Sequence, residues 1–293
     1  MSRPVIVGVD GSPQSRAAVE WAAREARRRG LPLRLVHAWV DESLYMAPVP
    51  DDSVGRQLLD DIGSDIARRY PDVAVSQELM AETATAGLVE KSGEAELLVL
   101  GSHGRTPLVG FLTGSVGLPV IAHSERPVVL VREGGDGADA EGDEVVVGMR
   151  DLGPPGDALL GLAFATAVAR GAAVRAVRVW GGAPGLFGDD LPENLDQRDA
   201  HAEAGARETA ALAEALAPWR LQHPDVRLVE DVRFGNAGEQ LLAAASGGRA
   251  ALLVVGRRTN RGLLSMRIGS VAHAALHHAE MPVAVVPYER HGD

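Results

Sequence analysis

Residues 5–10 read Val5-Ile-Val-Gly-Val-Asp10, and residues 145–150 repeat this run as Val145-Val-Val-Gly-Met-Arg150. Short continuous apolar runs of this kind are typical of strands that are buried on both faces of a parallel sheet. Amphipathic helical segments separate the runs along the chain, as expected for right-handed βαβ crossovers. The run and its repeat therefore predict an α/β fold that is present in two tandem copies.

Three further tracts of the first copy return in the second copy. Residues 33–39 return as 174–180, residues 97–101 as 252–256, and residues 126–131 as 281–286. The offset grows along the chain, so the second copy carries an insertion after its second strand. Glycine or an acidic residue stands at nearly every position of 133–144, which is typical of a flexible linker. The predicted organisation is a first domain over 1–133, a linker over 134–143 and a second domain over 144–293.

The composition favours a folded protein and excludes several classes of partner. A chain of 293 residues with 46% hydrophobic residues is long enough for two cores. The net charge of −11 argues against a nucleic-acid partner, because that affinity comes mainly from Lys and Arg. There is no cysteine, no apolar run reaches the length of a membrane span, and no signal peptide precedes the first strand. These features predict a cytoplasmic protein without a membrane partner.

Each copy is expected to form an open, doubly wound, Rossmann-like sheet of five parallel strands. In the first copy the strands are predicted near residues 4–9, 33–39, 73–79, 96–101 and 127–132. Ligands of such sheets bind at the carboxyl ends of the strands, where the winding reverses. The residues that follow the first and fourth strands are therefore the candidates for a site.

A glycine-rich segment follows the fourth strand of the first copy. It reads Gly101-x-x-Gly104, nine residues, and then Gly114-Ser115. Backbone N–H groups at a helix N-terminus hold phosphate oxygens, and glycine permits close approach. Taken singly, the first glycine pair can also make a strand-to-loop turn, and Gly114-Ser115 can cap a helix. The spacing as a whole favours phosphate binding.

The complete spacing resembles the G-x-x-G-x9-G-[S/T] ATP-binding signature of the universal stress protein family, whose fold is adenine nucleotide alpha-hydrolase-like. The resemblance covers both copies almost end to end. It implies that Asp10 contacts the ribose, although Asp10 alone can equally cap a helix, and that residues 36–38 form an adenine-side wall. The residues implied to line one nucleotide are Gly8, Val9, Asp10, Ala38, Leu100, Gly101, Gly104, Gly114, Ser115 and Val116. Arg105 is added as a candidate phosphate contact because of its charge.

The second copy departs from this pattern at two positions. Thr259 stands where the second glycine belongs, and Arg150 replaces the aspartate that follows the first strand. A β-branched residue resists positive φ and adds bulk near a phosphate. The corresponding second site would comprise Gly148, Met149, Val179, Val255, Gly256, Arg257, Gly269, Ser270 and Val271. Because arginines gather at this loop, a weakened or altered ligand choice is predicted rather than none.

Other chemistries find little support in the sequence. His273 and His277 lie one helical turn apart, but no cysteine or carboxylate completes a metal site, so none is predicted. Gly-x-Ser-x-Gly, the P-loop and Gly-x-Gly-x-x-Gly are all absent. Related folds include PP-loop synthetases and electron-transfer flavoproteins, but their motifs are not present. No obvious general base lies near the glycine segment, so a binding protein is predicted rather than an enzyme, with slow ATP hydrolysis left open.

The predicted function is binding of ATP, ADP or AMP, with Mg²⁺ accompanying ATP, in a stress response. The alternative is a nucleotide-independent module that binds a protein partner. The resemblance also implies that the two copies pair through their last strands, residues 127–132 and 282–287. A homodimer is plausible in addition, since two-fold association is the commonest assembly.

Overall fold

A computed structural model describes residues 2–40, 52–102, 114–133, 142–181, 195–259 and 268–289. The side chains of residues 40, 114–115 and 195–198 lie outside the described part. The chain divides into two compact units. Unit 1 comprises Met1–Asp139, Gly262–Ile268 and Glu280–Pro287, and unit 2 comprises Ala140–Arg261, Gly269–Ala279 and Tyr288–Asp293.

Unit 1 is built on a mostly parallel sheet. Its elements are β1 (Val5–Gly8), α1 (Pro13–Arg29), β2 (Leu33–Val40), α2 (Ser53–Arg69), β3 (Val75–Thr83), α3 (Ala84–Ser92), β4 (Leu97–Ser102), α4 (Gly114–His123), β5 (Val128–Arg132) and most of β10 (Val283–Glu289). The strand order is β3-β2-β1-β4-β5-β10. Val5 of β1 pairs with Leu33 on one side and with Leu97 on the other. The winding therefore reverses at β1, between β2 and β4.

Unit 2 repeats the central part of this arrangement. Its elements are β6 (Glu144–Gly148), α5 (Pro154–Arg170), β7 (Ala173–Gly181), α6 (Leu195–Gln222), β8 (Leu228–Gly235), α7 (Ala237–Ala245), β9 (Ala250–Thr259) and α8 (Ser270–His278). The parallel order β9-β6-β7-β8 matches β4-β1-β2-β3 of unit 1. Val145 pairs with Leu252 as Val5 pairs with Leu97, so the two central strands have equivalent neighbours.

The predicted α/β class and the five strands of the first copy are confirmed, with one correction to the sheet. Unit 1 has a sixth strand, because β10 pairs antiparallel with β5, with Val283 opposite Leu130 and Val285 opposite Val128. A free edge strand exposes unpaired N–H and C=O groups, and β10 satisfies those of β5. The predicted pairing of the last strands is thus present. It also places residues 280–287 in unit 1, although the sequence boundaries assign them to the second domain.

The first helix begins and ends where the sequence predicts. The Ser12 side chain accepts a hydrogen bond from the Ser15 N–H at 3.1 Å, and Pro13 occupies the first turn. Gly30 ends α1 in the left-handed conformation, with φ of 63°. One face of the helix packs on the sheet through small side chains and Trp21. This packing fixes the start of α1 beside the carboxyl ends of β1 and β4.

The predicted linker and the insertion of the second copy fall largely outside the described residues. Of the linker over 134–143, only 142 and 143 are described, and the insertion is described up to 181 and again from 195. Among the described helices, none combines the length and the apolar character that a membrane span requires.

Candidate functional site

A cavity of about 250 Å³ lies at the carboxyl ends of β1, β2 and β4 in unit 1. Seven of the residues predicted to form the site line it: Gly8, Val9, Asp10, Ala38, Leu100, Gly101 and Val116. They come from β1, β2, β4, α4 and the segment after β1, which are far apart in sequence. The topological switch point at β1 brings them together.

Further lining residues were not predicted. They are Ser12, Gln14 and Ser15 at the start of α1, Met80 of β3, Ala84 and Leu88 of α3, and Gly117 of α4. The residues of α1 follow closely after β1 in the chain, and this proximity could have indicated that they lie beside the cavity. Met80 and Leu88 carry no such signal, because only the packing of β3 and α3 brings them to this edge. The predicted wall of residues 36–38 lines the cavity in full.

The cavity has an apolar side and a polar side. Val9, Val36, Met80, Leu88 and Leu100 are buried and provide the apolar side. Polar groups of Asp10, His37 and the first residues of α1 provide the other. Pockets that combine apolar walls with a few fixed polar groups are typical of small-molecule sites.

Asp10 is held in a tight turn at the end of β1. Its Oδ1 accepts a hydrogen bond from the Ser12 N–H at 2.9 Å. Burial on its own raises the pKa of the Asp10 carboxyl, but hydrogen bonds from Ser12 and Ser15 outweigh that effect and lower the pKa below its ordinary value. The carboxylate is therefore ionised at neutral pH and can accept further hydrogen bonds from a ligand. Ser12, and not Asp10, caps α1, so the helix-capping interpretation of Asp10 is wrong, and a ligand contact stays compatible with this geometry.

His37 connects β2 to the end of β1. Its Nδ1 lies 2.7 Å from the carbonyl oxygen of Val9. A carbonyl oxygen only accepts, so Nδ1 carries the proton in this hydrogen bond. The other edge of the ring faces Gly55 of α2, where a Cβ would lie 2.8 Å from the His37 Cδ2. This contact fixes the imidazole at the cavity wall.

Packing requires a glycine at position 101, in addition to any close approach of a phosphate. A Cβ at Gly101 would lie 2.5 Å from the backbone carbon and oxygen of Gln14 and 2.7 Å from the Ser15 nitrogen. The end of β4 and the start of α1 therefore touch backbone to backbone. This contact places the first turn of α1 at the cavity.

Four predicted residues of the glycine segment cannot be placed in full. Gly104 and Arg105 lie outside the described residues. Gly114 and Ser115 begin α4, but their side chains are outside the described part. Val116, the next residue, lines the cavity, so the start of α4 lies at its edge.

Unit 2 places its predicted residues at the equivalent strand ends but surrounds them differently. Arg178 of β7 occupies the position of His37. Its guanidinium donates to the carbonyl oxygen of Met149 at 3.3 Å and also to that of Arg150. Its Nε donates to Glu208 of α6 at 2.8 Å. In unit 2 the Arg178 guanidinium thus connects β7 to the end of β6 by a hydrogen bond, as the His37 imidazole connects β2 to the end of β1 in unit 1.

The other predicted residues of the second site are distributed along three elements. Gly148 ends β6, where a Cβ would lie 2.9 Å from Leu241, and Val179 follows Arg178 on β7. Val255 and Arg257 are buried on β9 on either side of Gly256, and burial lowers the pKa of Arg257. Gly269, Ser270 and Val271 form the start of α8. Arg257 was expected in the loop that follows the strand, whereas it lies within β9.

Tyr288 covers Gly256 in unit 2. A Cβ at Gly256 would lie 2.5 Å from Cε1 of the Tyr288 ring. The Tyr288 hydroxyl donates to the Asp151 carboxylate at 2.9 Å, and the Thr259 hydroxyl donates to the Tyr288 carbonyl oxygen at 3.1 Å. Burial, together with the bond to Asp151, raises the pKa of Tyr288 to about 12. The phenol is therefore neutral and a donor at physiological pH.

The described residues contain no group of three or more His, Cys, Asp or Glu side chains that suits a metal ion. His273 and His277 meet on α8, with their Nε2 atoms 3.1 Å apart, at the surface of the helix.

Comparison with known proteins places these features in a family. The model of the universal stress protein family matches residues 1–132 and again residues 142–287. The chain belongs to the universal stress protein family. Universal stress protein Rv2005c of Mycobacterium tuberculosis is 33% identical over 304 residues, covering 97% of this chain and 99% of that protein. A universal stress protein of Mycolicibacterium smegmatis is 30% identical over 294 residues, covering 96% of each.

A solved universal stress protein shares the fold. The structure of one from Archaeoglobus fulgidus covers 98% of this chain and 99% of its own, with a TM-score of 0.64 and 14% identity. Another from the same organism was solved in complex with dAMP; it is 24% identical, covers 44% of this chain and 97% of its own, and has a TM-score of 0.35. Members of the family are generally non-enzymatic stress-response proteins, in line with the prediction of a binding protein.

Proposed function

We propose that this universal stress protein binds an adenine nucleotide in the cavity of unit 1 and acts in the stress response as a nucleotide-dependent regulator or protector. One observation carries the proposal. The seven residues named above, which the family motif assigns to a nucleotide and which can be placed, line a single cavity. Residues assigned to a turn and a helix cap alone have no need to converge in this way.

The described walls suit the parts of a nucleoside. The buried side chains of Val36, Met80 and Leu88 offer an apolar surface to a planar base. The ionised Asp10 carboxylate accepts hydrogen bonds, and ribose hydroxyls are donors. Phosphate oxygens are expected at the starts of α1 and α4, where backbone N–H groups and the helix dipole favour an anion. Arg105, and Mg²⁺ when ATP is the ligand, would supply the positive charge.

The same lining argues for binding rather than rapid catalysis. Asp10 is the one carboxylate among the described lining residues, and its lowered pKa makes it a weak base. It also already accepts a hydrogen bond from the Ser12 backbone. Hydrolysis of bound ATP, if measured, is expected to be slow. A cytoplasmic location and a chain-to-chain dimer remain predictions.

Calorimetric titration of the full chain with ATP, AMP and GTP tests the proposal. Ala38→Phe places a large side chain in the cavity, while Glu82→Gln changes an exposed residue of β3 and serves as the control. We expect adenine nucleotides to bind the wild type and the control and to lose at least tenfold in affinity in Ala38→Phe. Circular dichroism establishes that Ala38→Phe is folded. Absence of binding to all three nucleotides would favour the partner-binding module instead.

A further inference from the structure

Tyr288 contacts the two groups of unit 2 that correspond to key groups of the unit 1 cavity. Gly256 and Gly101 are equivalent because β9 and β4 have the same register against β6 and β1. Arg150 takes the position of Asp10 counted from the strand, but Asp151, one residue later, and Asp10 each stand three residues before the first residue of a 17-residue helix, Pro154 and Pro13 respectively. The Tyr288 ring lies against Gly256, and its hydroxyl donates a hydrogen bond to the Asp151 carboxylate.

The ring also replaces a backbone contact. In unit 1 the backbone of Gln14 and Ser15 lies against Gly101. In unit 2 the nearest atoms to the same face of Gly256 belong to the Tyr288 ring and, at 3.3 Å, to the side chain of Leu159. The side chain of Tyr288 therefore lies between β9 and α5. The equivalent elements of unit 1, β4 and α1, touch each other directly. Tyr288 is 9% exposed, so the ring is packed in this place.

The start of α5 is also poor in donors. Pro154 and Pro155 are its first two residues, and proline has no N–H group. Gly153 at the N-cap has φ of 99° and makes no side-chain capping bond, whereas Ser12 caps α1. At the start of α1, Gln14 keeps an N–H group where the equivalent Pro155 has none, while the Ser15 N–H donates to the Ser12 side chain. The anion-binding property of a helix N-terminus is accordingly weaker at α5 than at α1.

From these contacts we infer that Tyr288 acts as an internal ligand of unit 2 and that each chain binds one adenine nucleotide, in unit 1. The ring lies against the glycine in the place that the α1 backbone takes in unit 1, and the hydroxyl takes hydrogen-bonding capacity of the acid that stands before α5 as Asp10 stands before α1. Arg178, bonded to Glu208 and to the end of β6, completes a site held together by its own side chains. The inference rests on the proposed function of unit 1. It makes the two copies unequal: one takes ligand, and the other is closed.

Stoichiometry separates this inference from the proposed function. Calorimetry with ATP is expected to give one nucleotide per chain for the wild type. Val179→Phe changes the residue of unit 2 that is equivalent to Ala38 and is expected to leave that one site intact, whereas Ala38→Phe is expected to weaken it at least tenfold. Two nucleotides per chain, or one nucleotide lost in Val179→Phe and kept in Ala38→Phe, would overturn the inference while nucleotide binding stands. No bound nucleotide at all would overturn the proposed function.

Hydrogen exchange followed by mass spectrometry tests the part played by Tyr288. Saturating ATP is expected to slow exchange in peptides from residues 8–18, 33–40 and 97–102, and to leave those from 148–160 and 252–259 unchanged. Tyr288→Ala should speed exchange in the second pair of peptides without changing the affinity of unit 1 for ATP. If Tyr288→Ala leaves exchange in unit 2 unaltered, the ring does not fill that place and the inference fails.

Discussion

Gly101 at the end of β4 lies against the backbone of Gln14 at the start of α1, so closely that a Cβ would approach the Gln14 carbonyl at 2.5 Å. Two backbone segments in contact cannot move apart as easily as a flexible side chain. We therefore expect Gly101→Ala to destabilise the protein by about 1–3 kcal/mol, the usual cost of overpacking. Urea denaturation measures this change.

Gly93 offers a matched control for Gly101. It ends α3 with φ of −62°, and a Cβ there would meet only one atom, at an ordinary 3.4 Å. Gly93→Ala is expected to change the free energy of unfolding by less than about 0.5 kcal/mol. Equal effects of the two substitutions would contradict the close contact between β4 and α1.

His37→Phe tests the link between β2 and β1. The ring is kept, but the donor to the Val9 carbonyl is lost, so the free energy of unfolding should fall by about 1–2 kcal/mol. Nucleotide affinity should fall as well, because Val9 lines the cavity. His123 is the control: its Nδ1 also bonds a carbonyl, that of Pro119, but at an exposed site where water can replace it. His123→Phe is expected to have little effect on either measurement.

The environment of Glu144 on β6 predicts that the stability of unit 2 falls at acid pH. The buried carboxylate accepts two hydrogen bonds from Arg175, at 2.8 and 3.1 Å, and one from Arg227 at 3.2 Å. The hydrogen bond and charge of Arg175 lower the pKa of Glu144 below its ordinary value. A carboxyl whose pKa is lower in the folded state stabilises the protein above its unfolded pKa, near 4.3. That stabilisation is lost as the pH falls through the folded pKa.

Glu144→Gln should therefore lower the free energy of unfolding by about 2 kcal/mol at pH 7. The difference from wild type should shrink as the pH falls below about 4. Glu96, which pairs with Arg126 at 3.3 Å in a half-exposed setting, provides the comparison, and Glu96→Gln is expected to cost under about 1 kcal/mol. A Glu144→Gln difference that grows toward acid pH would show that the sign of the pKa shift is wrong.

Tyr288→Phe isolates the hydroxyl from the ring. The variant keeps the packing on Gly256 and loses the bond to Asp151, so we expect a loss of about 1–2 kcal/mol in unit 2. Asp151→Asn keeps an acceptor oxygen for the same hydroxyl and should cost less. Differential scanning calorimetry resolves both effects, and no loss of stability in Tyr288→Phe would contradict the hydrogen bond.

The sequence was sufficient to predict the strands and the switch point, because apolar runs, the repeat, and the Ser12 and Gly30 helix signals are local. β3 was predicted near 73–79 and spans Val75–Thr83, since all its residues except Met80 are half-buried or exposed and give a weak signal. The pairing of β10 with β5 was anticipated only from the family resemblance. The place of Tyr288 was missed, because its contacts with Gly256 and Asp151 join residues that are far apart in the chain.

The site residues could likewise be predicted only where local sequence determines their position. Those that end strands, such as Gly8 and Leu100, follow from the fold and could be named in advance. Met80 and Leu88 reach the cavity through tertiary packing, which no spacing reports. The role of Gly101 in seating α1 was also hidden, since a glycine in a sequence does not reveal which neighbour requires it.

Photo-crosslinking with 8-azido-ATP, followed by peptide mapping, tests the central claim most directly. The account predicts a label on unit 1 peptides that contain the cavity wall, residues 36–38 or the region around Met80 and Leu88, and loss of the label when unlabelled ATP is added in excess. A label that excess ATP does not displace, or that appears on peptides away from this wall, would contradict the assignment of the cavity to an adenine nucleotide.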